Sequence, residues 1–317
     1  MSAASAPVRT GEAGPLKVAI VGAGTMGAAL GRRIGDHGGL VTTVLDGRSP
    51  GTVARAQAAG MADRSLAEIG DCDLLLSVTP PDAALPLARA LARQLGPGRP
   101  RLAYLDCNAI APRTSCEIAG LLSNANTAYI DGAIVGGPPG RDGPAPIIFV
   151  SGPDAELAAP LRSYGLDIRR LDAPVGSASA LKMALAVVSK GVTAMLCLGG
   201  MAAASAGVLD AFSDQLSRGQ PGVLAWGDAQ IPGLHAKASR WVQEMRILEQ
   251  ILDHPPGSPA IFSGLAALYG WAAEGESAPA ELAELGAHFI ARRDLTAAGP
   301  VHAQAPAGAS PASPHTP

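Results

Sequence analysis

The sequence predicts an α/β fold: a doubly wound parallel sheet at the N-terminus, joined by one long helix to an all-α C-terminal domain. Three observations lead there. Short apolar runs alternate with Ala/Leu-rich runs of helical spacing as far as Leu171. The first apolar run ends in a Gly-x-Gly-x-x-Gly turn that opens directly into a helical pattern. Beyond Gly176 no strand pattern returns.

Composition bounds the rest. A chain of 317 residues suits two domains better than one. Aromatics supply only 3% of residues against 48% hydrophobic in all, so the cores must be built from Ala, Leu, Val and Ile. A net charge of −3 leaves no basic footprint for nucleic acid and no polybasic signal for a membrane surface. Cys72, Cys107, Cys116 and Cys197 show no metal-ligand spacing, so no metal is expected, and reduced thiols in a cytoplasmic protein are the simplest account. Residues 1–14 lack the apolar core of a signal peptide and read as a disordered lead-in. The run from Met183 to Ala206 is long enough to span a bilayer, but it carries Lys190; a buried core helix in a large interface is the preferred reading.

In chain order, Lys17 to Val21 reads as a buried strand and Thr25 to His37 as a helix stopped by Gly38-Gly39. Val41 to Leu45 is the second strand, with a third around Met61. Asp73 to Val78 is the fourth, ending at Thr79-Pro80-Pro81, after which Asp82 caps a helix to Leu95. Pro97, Gly98 and Pro100 break the chain before a strand from Leu102 to Leu105. Pro112 suits the first position of a helix running to Leu122. Strands from Tyr129 to Val135 and Ile147 to Val150 flank a Gly/Pro-rich loop, followed by a helix from Asp154 to Ser163 and a strand from Asp167 to Leu171. These segments make a dinucleotide-binding domain of residues 15–175. A long helix from Ser177 to Ala206 opens an all-helical substrate and dimerisation domain of residues 176–295, and the Ala/Pro/Ser-rich residues 296–317 read as a disordered tail.

In an open α/β sheet, ligands lie beyond the carboxyl ends of the strands. Gly22 makes the tight turn out of the first strand, Gly24 lets a pyrophosphate approach the backbone, and Gly27 lets the helix pack on the sheet; Ala23, Thr25 and Met26 complete the loop. Asp46 follows at the spacing expected of a ribose ligand, whereas Arg48 and Ser49 suit a 2′-phosphate. A carboxylate repels that phosphate, so NAD(H) and NADP(H) compete on equal terms here. Val78, Thr79, Pro80 and Asn108 are further candidates for the cofactor. Lys182 lies one to two turns into the long helix, beside the small residues Ala178, Ala186 and Ser189. Partial burial would fit its ammonium for acid–base work, although from spacing alone an exposed lysine is the simpler reading.

The chain resembles the β-hydroxyacid dehydrogenases, the group that includes 3-hydroxyisobutyrate and 6-phosphogluconate dehydrogenases, with imine reductases as close relatives. Four stretches carry the likeness: Val21-Gly22-Ala23-Gly24-Thr25-Met26-Gly27, Asp106 to Pro112, Asp131 to Gly137, and Gly176 to Lys182. The resemblance implies an NAD(P)-dependent enzyme interconverting a hydroxyl and a carbonyl on a small acidic metabolite, with Lys182 as general acid/base. It reverses the preference at Lys182. It also tips the cofactor towards NADP(H), because Gly47-Arg48-Ser49 is similar to the family's Asn-Arg-Thr. Val135 stands where the family places a substrate-binding Ser, leaving the backbone of Gly136 and Gly137, and Ala186 stands where it places Asn, so that Ser189 or Lys190 becomes a candidate substitute.

The C-terminal domain resembles a subgroup catalogued as of unknown function. In it Lys237, Arg240, Trp241 and Glu244 share a helical face that closes over an anionic substrate, or else Trp241 is a packed core anchor on a solvated helix. His235 and His288 are further cleft candidates. A homodimer is expected from the long small-residue helix and from the resemblance. The competing functions are an imine reductase and a non-catalytic dinucleotide-binding sensor or scaffold, and the presence of Lys182 weighs against both.

Overall fold

The structure is a computed structural model that describes residues 14–95, 101–141 and 143–297. The lead-in and the tail fall outside these residues apart from Gly14 and the last two helical positions, and so do the breakers Pro97, Gly98 and Pro100. Eight strands form one sheet: β1 (Lys17–Val21), β2 (Leu40–Thr43), β3 (Ala62–Asp63), β4 (Leu74–Ser77), β5 (Leu102–Asp106), β6 (Thr127–Val135), β7 (Ile147–Ser151) and β8 (Asp167–Arg170). Their spatial order is β3-β2-β1-β4-β5-β6-β7-β8, so the order reverses between β1 and β4. That reversal opens the crevice where an α/β sheet takes its ligand.

The sheet is parallel except at β6 and β7, which pair antiparallel. A fully parallel sheet is the sequence expectation, and the connection explains the difference. The loop between β6 and β7 carries no helix among its described residues, and a parallel return needs a crossover of a dozen or more residues. Helices α1 (Thr25–Asp36), α2 (Pro50–Ala58), α3 (Pro81–Gln94) and α4 (Pro112–Ser123) cover the sheet. Asp82 does not cap α3: Pro80 holds the N-cap, and Asp82 lies in the first turn, where a carboxylate still complements the helix dipole. The helix expected from Asp154 is a 3-10 segment, Ala155–Tyr164, with Pro160 removing a donor from its middle.

Strand alternation builds two cores, one on each sheet face. Ile20, Leu76, Leu105, Ile130 and Val150 point to one. Val21, Leu75, Tyr104 and Tyr129 point to the other, against Ala84, Ala88, Leu91 and Ile118 of α3 and α4. On that second face the register sets Ser77, Asp106, Asp131 and Ser151 side by side across four strands. All four are buried.

Asp131 is the hub of this polar row. Its Oδ2 accepts from Ser151 Oγ (2.8 Å) and from the backbone N–H groups of Gly176 (2.9 Å), Ala178 (2.9 Å) and Ser179 (3.2 Å). Its Oδ1 accepts from Ser179 Oγ (2.6 Å) and Ser115 Oγ (3.2 Å). These backbone donors belong to the start of α5 (Ser177–Ser205), whose first N–H groups have no partner within the helix. A strand carboxylate therefore caps the long helix.

The rest is helical: α6 (Leu209–Gly219), α7 (Pro221–Gln230), α8 (His235–Ile251), α9 (Ser258–Ala272) and α10 (Ala280–Ala297). The chain divides into two compact units, and not at the 175/176 boundary that the sequence suggests. The first runs to Gly191 and takes in Arg240–Ala267; the second holds Val192–Ser239 and continues from Leu268. Within the second unit a Cβ on Gly200 would meet Leu285, and one on Gly227 would meet Phe289; Arg292 pairs with Asp228. Helix α5 is long and apolar enough to cross a membrane by length and composition, yet only a third of its most apolar window is buried. Leu185, Val188, Met195 and Leu198 are each more than 40% exposed.

Replacing Asp131 by Ala leaves a buried cluster of donors without an acceptor. Asp131→Ala is expected to lower stability by about 3–5 kcal/mol, read from the first transition in urea, with Asp131→Asn recovering only part of it.

Candidate active site

The turn after β1 is shaped by contact. Gly22 has φ +102°, and a Cβ there would lie 2.2 Å from the Val78 carbonyl oxygen at the end of β4. A Cβ on Gly27 would lie 2.1 Å from the carbonyl oxygen of Gly22. The space over Gly24, by contrast, is open, with no protein atom within 4 Å of a Cβ built there. Gly24 is the N-cap of α1, which has no side-chain cap and no acidic residue in its first turn. Open space at free helix N–H groups fits a phosphate group. Ala23 is buried in this turn, Thr25 is exposed and Met26 packs on the core.

The neighbouring loops are tied to that turn. Asn108, buried at the end of β5, accepts from the backbone N–H and hydroxyl of Thr79 through Oδ1 and donates through Nδ2 to Ser77 Oγ (2.9 Å). Its carbonyl oxygen thus holds the Val78-Thr79-Pro80 loop and one of its two amide N–H groups ties it to the end of β4, so Asn108 orients that loop. β2 ends at Thr43, three residues before Asp46, and Asp46, Gly47, Arg48 and Ser49 are exposed. Ser49 is already engaged: its Oγ caps α2, accepting from Thr52 N–H (3.3 Å). Asp46 lines a cavity shared with Gln57, Arg64 and Ser65, three polar neighbours that the sequence reading does not nominate.

Lys182 follows from the capped start of α5. It sits on the second turn of the helix that Asp131 anchors, partly buried, and among the described residues no hydrogen bond or ion pair holds its ammonium. Burial pushes the Lys182 ammonium below the usual lysine range. The Lys190 charge pushes the same way, while Glu244, Cys107 and Asp106 pull it back. The carboxyl end of β5 and the start of α5 therefore meet at this lysine.

Asp106 is the second titrating group. Its carboxylate accepts from Asn108 N–H (3.0 Å) and from the Tyr129 hydroxyl (3.2 Å), whose ring stacks on Tyr104 at 5.9 Å. Burial raises its pKa to about 6; Asp131 pushes the same way, and its two donors and Lys182 pull it back. The Cys107 thiol is pushed well above its ordinary range, chiefly by burial, so it stays protonated.

The substrate-side candidates divide. Val135 is half-buried at the end of β6, and Gly136 (φ +119°) and Gly137 are exposed, with open space around Gly137. Ser189 bonds back to the Ala186 carbonyl (3.5 Å). Lys190 is bound to Glu244 (2.8 Å) and lies 5.3 Å from the centroid of the Trp241 ring. Trp241 is 7% exposed, so it is the packed anchor and not a lid. Arg240 is exposed, and Lys237, in the other compact unit, donates to Gln230 (3.1 Å).

The two histidines have local roles. His235 Nδ1 bonds to the Ala272 carbonyl (2.9 Å). His288 Nε2 bonds to Ser213 Oγ (2.8 Å), with Asp210 3.7 Å from Nδ1. That trio has the order of a nucleophile triad, but Ser213 is 3% exposed and Asp210 is beyond hydrogen-bond reach, so it ties α6 to α10. What sequence reasoning missed was the Asp106–Asp131 pair and Glu244 as a buried partner. A charge inside an apolar strand run is the signal that marks the first two.

Residues 17–162 match the family described as the NAD binding domain of 6-phosphogluconate dehydrogenase, and residues 203–272 match a domain of unknown function, DUF1932. A conserved protein of unknown function, described as structurally similar to 3-hydroxyacid dehydrogenases, is 30% identical (TM-score 0.62; 80% of this chain and 99% of that one). The 3-hydroxyisobutyrate dehydrogenase of Mycobacterium tuberculosis, solved with L-serine, is 15% identical (TM-score 0.68; 87% and 99%). An imine reductase variant of Myxococcus stipitatus, in complex with NAD+, is 19% identical (TM-score 0.53; 86% and 99%). At these identities the last two share the fold. No curated protein matches the chain.

The raised Asp106 fixes a pH dependence. Between about pH 4 and 6 the unfolded chain loses this proton before the folded one, so the group costs stability as pH rises through that window. Asp106→Asn removes the dependence. Its stability relative to the parent chain is expected to improve by up to roughly 3 kcal/mol from pH 4 to 6 and then level off, as measured by urea titration at each pH.

Proposed function

Because the chain belongs to the β-hydroxyacid dehydrogenase family, in the subgroup with a C-terminal domain of unknown function, we propose that it interconverts a hydroxyl and a carbonyl on a small acidic metabolite, with Lys182 as general acid and base. The observation that carries this reading is the partly buried Lys182 ammonium, which has no partner among the described residues and is held below the usual lysine range. An amine shifted towards neutrality can both give and take a proton at working pH.

The cradle over Gly24 fits a dinucleotide pyrophosphate, with Gly22, Ala23, Thr25, Met26 and Gly27 shaping it. NADP(H) is the proposed cofactor, with Arg48 reaching the 2′-phosphate and Asp46 as the competing ribose ligand for NAD(H). When bound, the nicotinamide supplies or accepts the hydride. The loop of Val78, Thr79 and Pro80, held by Asn108, walls the crevice beside it. In the reducing direction Lys182 Nζ gives its proton to the carbonyl oxygen; in the oxidising direction it takes the hydroxyl proton. The backbone N–H groups of Gly136 and Gly137 orient the substrate's acidic group.

The same reading includes a cytoplasmic homodimer packed on α5. The exposed Leu185, Val188, Met195 and Leu198 support it, since such a stripe is costly to leave in water.

The test is a carbonyl-reduction screen with NADPH and NADH, run on the parent chain, Lys182→Met and Arg48→Ala. Lys182→Met is expected to lose about 10²–10⁴-fold in kcat while keeping cofactor binding. Arg48→Ala is expected to weaken NADPH and spare NADH. Undiminished turnover in Lys182→Met overturns the reading and favours an imine-reductase mechanism that does without the lysine.

A further inference from the structure

Helix α8 buries Trp241, Glu244, Met245 and Leu248, a spacing of i, i+3, i+4 and i+7. Three of these are apolar, and the fourth is a carboxylate whose side chain is only 8% exposed. Its partner is Lys190, two helical turns beyond Lys182 on α5. Ala186, midway between the two lysines on the same face, is buried and offers only a methyl group. A buried ion pair contributes little net stability, and an apolar pair of similar size would fill this seam as well. The charges therefore call for another explanation, and Lys182 supplies one.

We propose that the Lys190–Glu244 pair, seated on Trp241, is a positioning device for Lys182, holding one negative and one positive charge at fixed places beside the reacting ammonium. Among the described residues, four charged or titratable groups bear on this ammonium. They are Glu244 on α8, Lys190 on α5, and Asp106 and Cys107 at the end of β5. Glu244 favours the protonated amine and Lys190 disfavours it, so the two members of one pair act in opposite senses. The Trp241 ring, under the Lys190 ammonium, fixes where the positive member sits. The inference rests on Lys182 being the acid–base group.

The experiment reads the Lys182 amine directly. Full-length protein is labelled with trace acetic anhydride at a series of pH values, and the extent of acetylation of the Lys182 peptide is followed by mass spectrometry. Glu244→Gln is expected to move the Lys182 midpoint to lower pH, Lys190→Met to higher pH, and Glu244→Asp to return it towards the parent value. Shifts in the same direction in Glu244→Gln and Lys190→Met would mean altered burial and would overturn the proposal, as would no shift. Should Glu244→Gln fail to fold, Lys190→Met alone must still move the midpoint upward. Unmoved midpoints alongside a dead Lys182→Met enzyme sink the positioning device and leave the acid–base reading standing. Opposite shifts alongside a fully active Lys182→Met enzyme sink the acid–base reading instead.

Discussion

The Asp131 carboxylate is the interaction on which the rest of this structure depends. A charged group in the middle of a sheet strand is tolerable only if its oxygens are satisfied, and six donors satisfy these two. Three are backbone N–H groups at the start of a 29-residue helix, which would otherwise be orphans. One carboxylate thus solves two problems at once, and the solution fixes both the position and the rotation of α5 against β6. Lys182, on the second turn, inherits that placement. That placement is set by a residue in a different element, 51 positions earlier in the chain.

A second set of ties aligns the cofactor side. Val78 sits against Gly22 so closely that only a residue without a Cβ fits, and Asn108 bonds the loop after β4 to the end of β5. β5 is the shared member: its Asp106 lies in register with Ser77 on one side and Asp131 on the other. The loop that walls the dinucleotide crevice and the helix that carries the lysine are consequently referenced to the same strand. Hydride transfer needs donor and acceptor held within a few tenths of an ångström, and a rigid polar row across the sheet is a suitable frame for it.

The parts of this arrangement governed by local periodicity were legible in the sequence. The strand–turn–helix around Gly22, Gly24 and Gly27, the start of α4 at Pro112 and the long helix from Ser177 all follow from patterns within a dozen residues. What was not legible depends on partners distant in the chain. The antiparallel turn into β7 follows from the absence of a helix among the described residues of the β6–β7 loop. Lys190, a candidate substrate group from the sequence, pairs with Glu244 and lies over Trp241, contacts made between two helices some fifty residues apart. Asp106 and Asp131 each open a recognisable stretch, yet their meeting at adjacent register positions is a property of the sheet, not of either segment.

If the open space at the start of α1 holds a dinucleotide, one substitution separates that use from any structural role. Gly24→Asp places a good N-cap at a position where the backbone is already extended and a Cβ meets nothing, so α1 should be as stable as before or slightly more so. The same carboxylate would face the pyrophosphate. Fluorescence titration with NADPH and with NADH is the measurement. A Tm equal to or slightly above the parent's is expected, with at least a tenfold loss of affinity for whichever dinucleotide the parent chain binds, on the order of 1.4 kcal/mol or more. Equal affinity in the two proteins, or binding of neither dinucleotide by the parent chain, would contradict the dinucleotide reading.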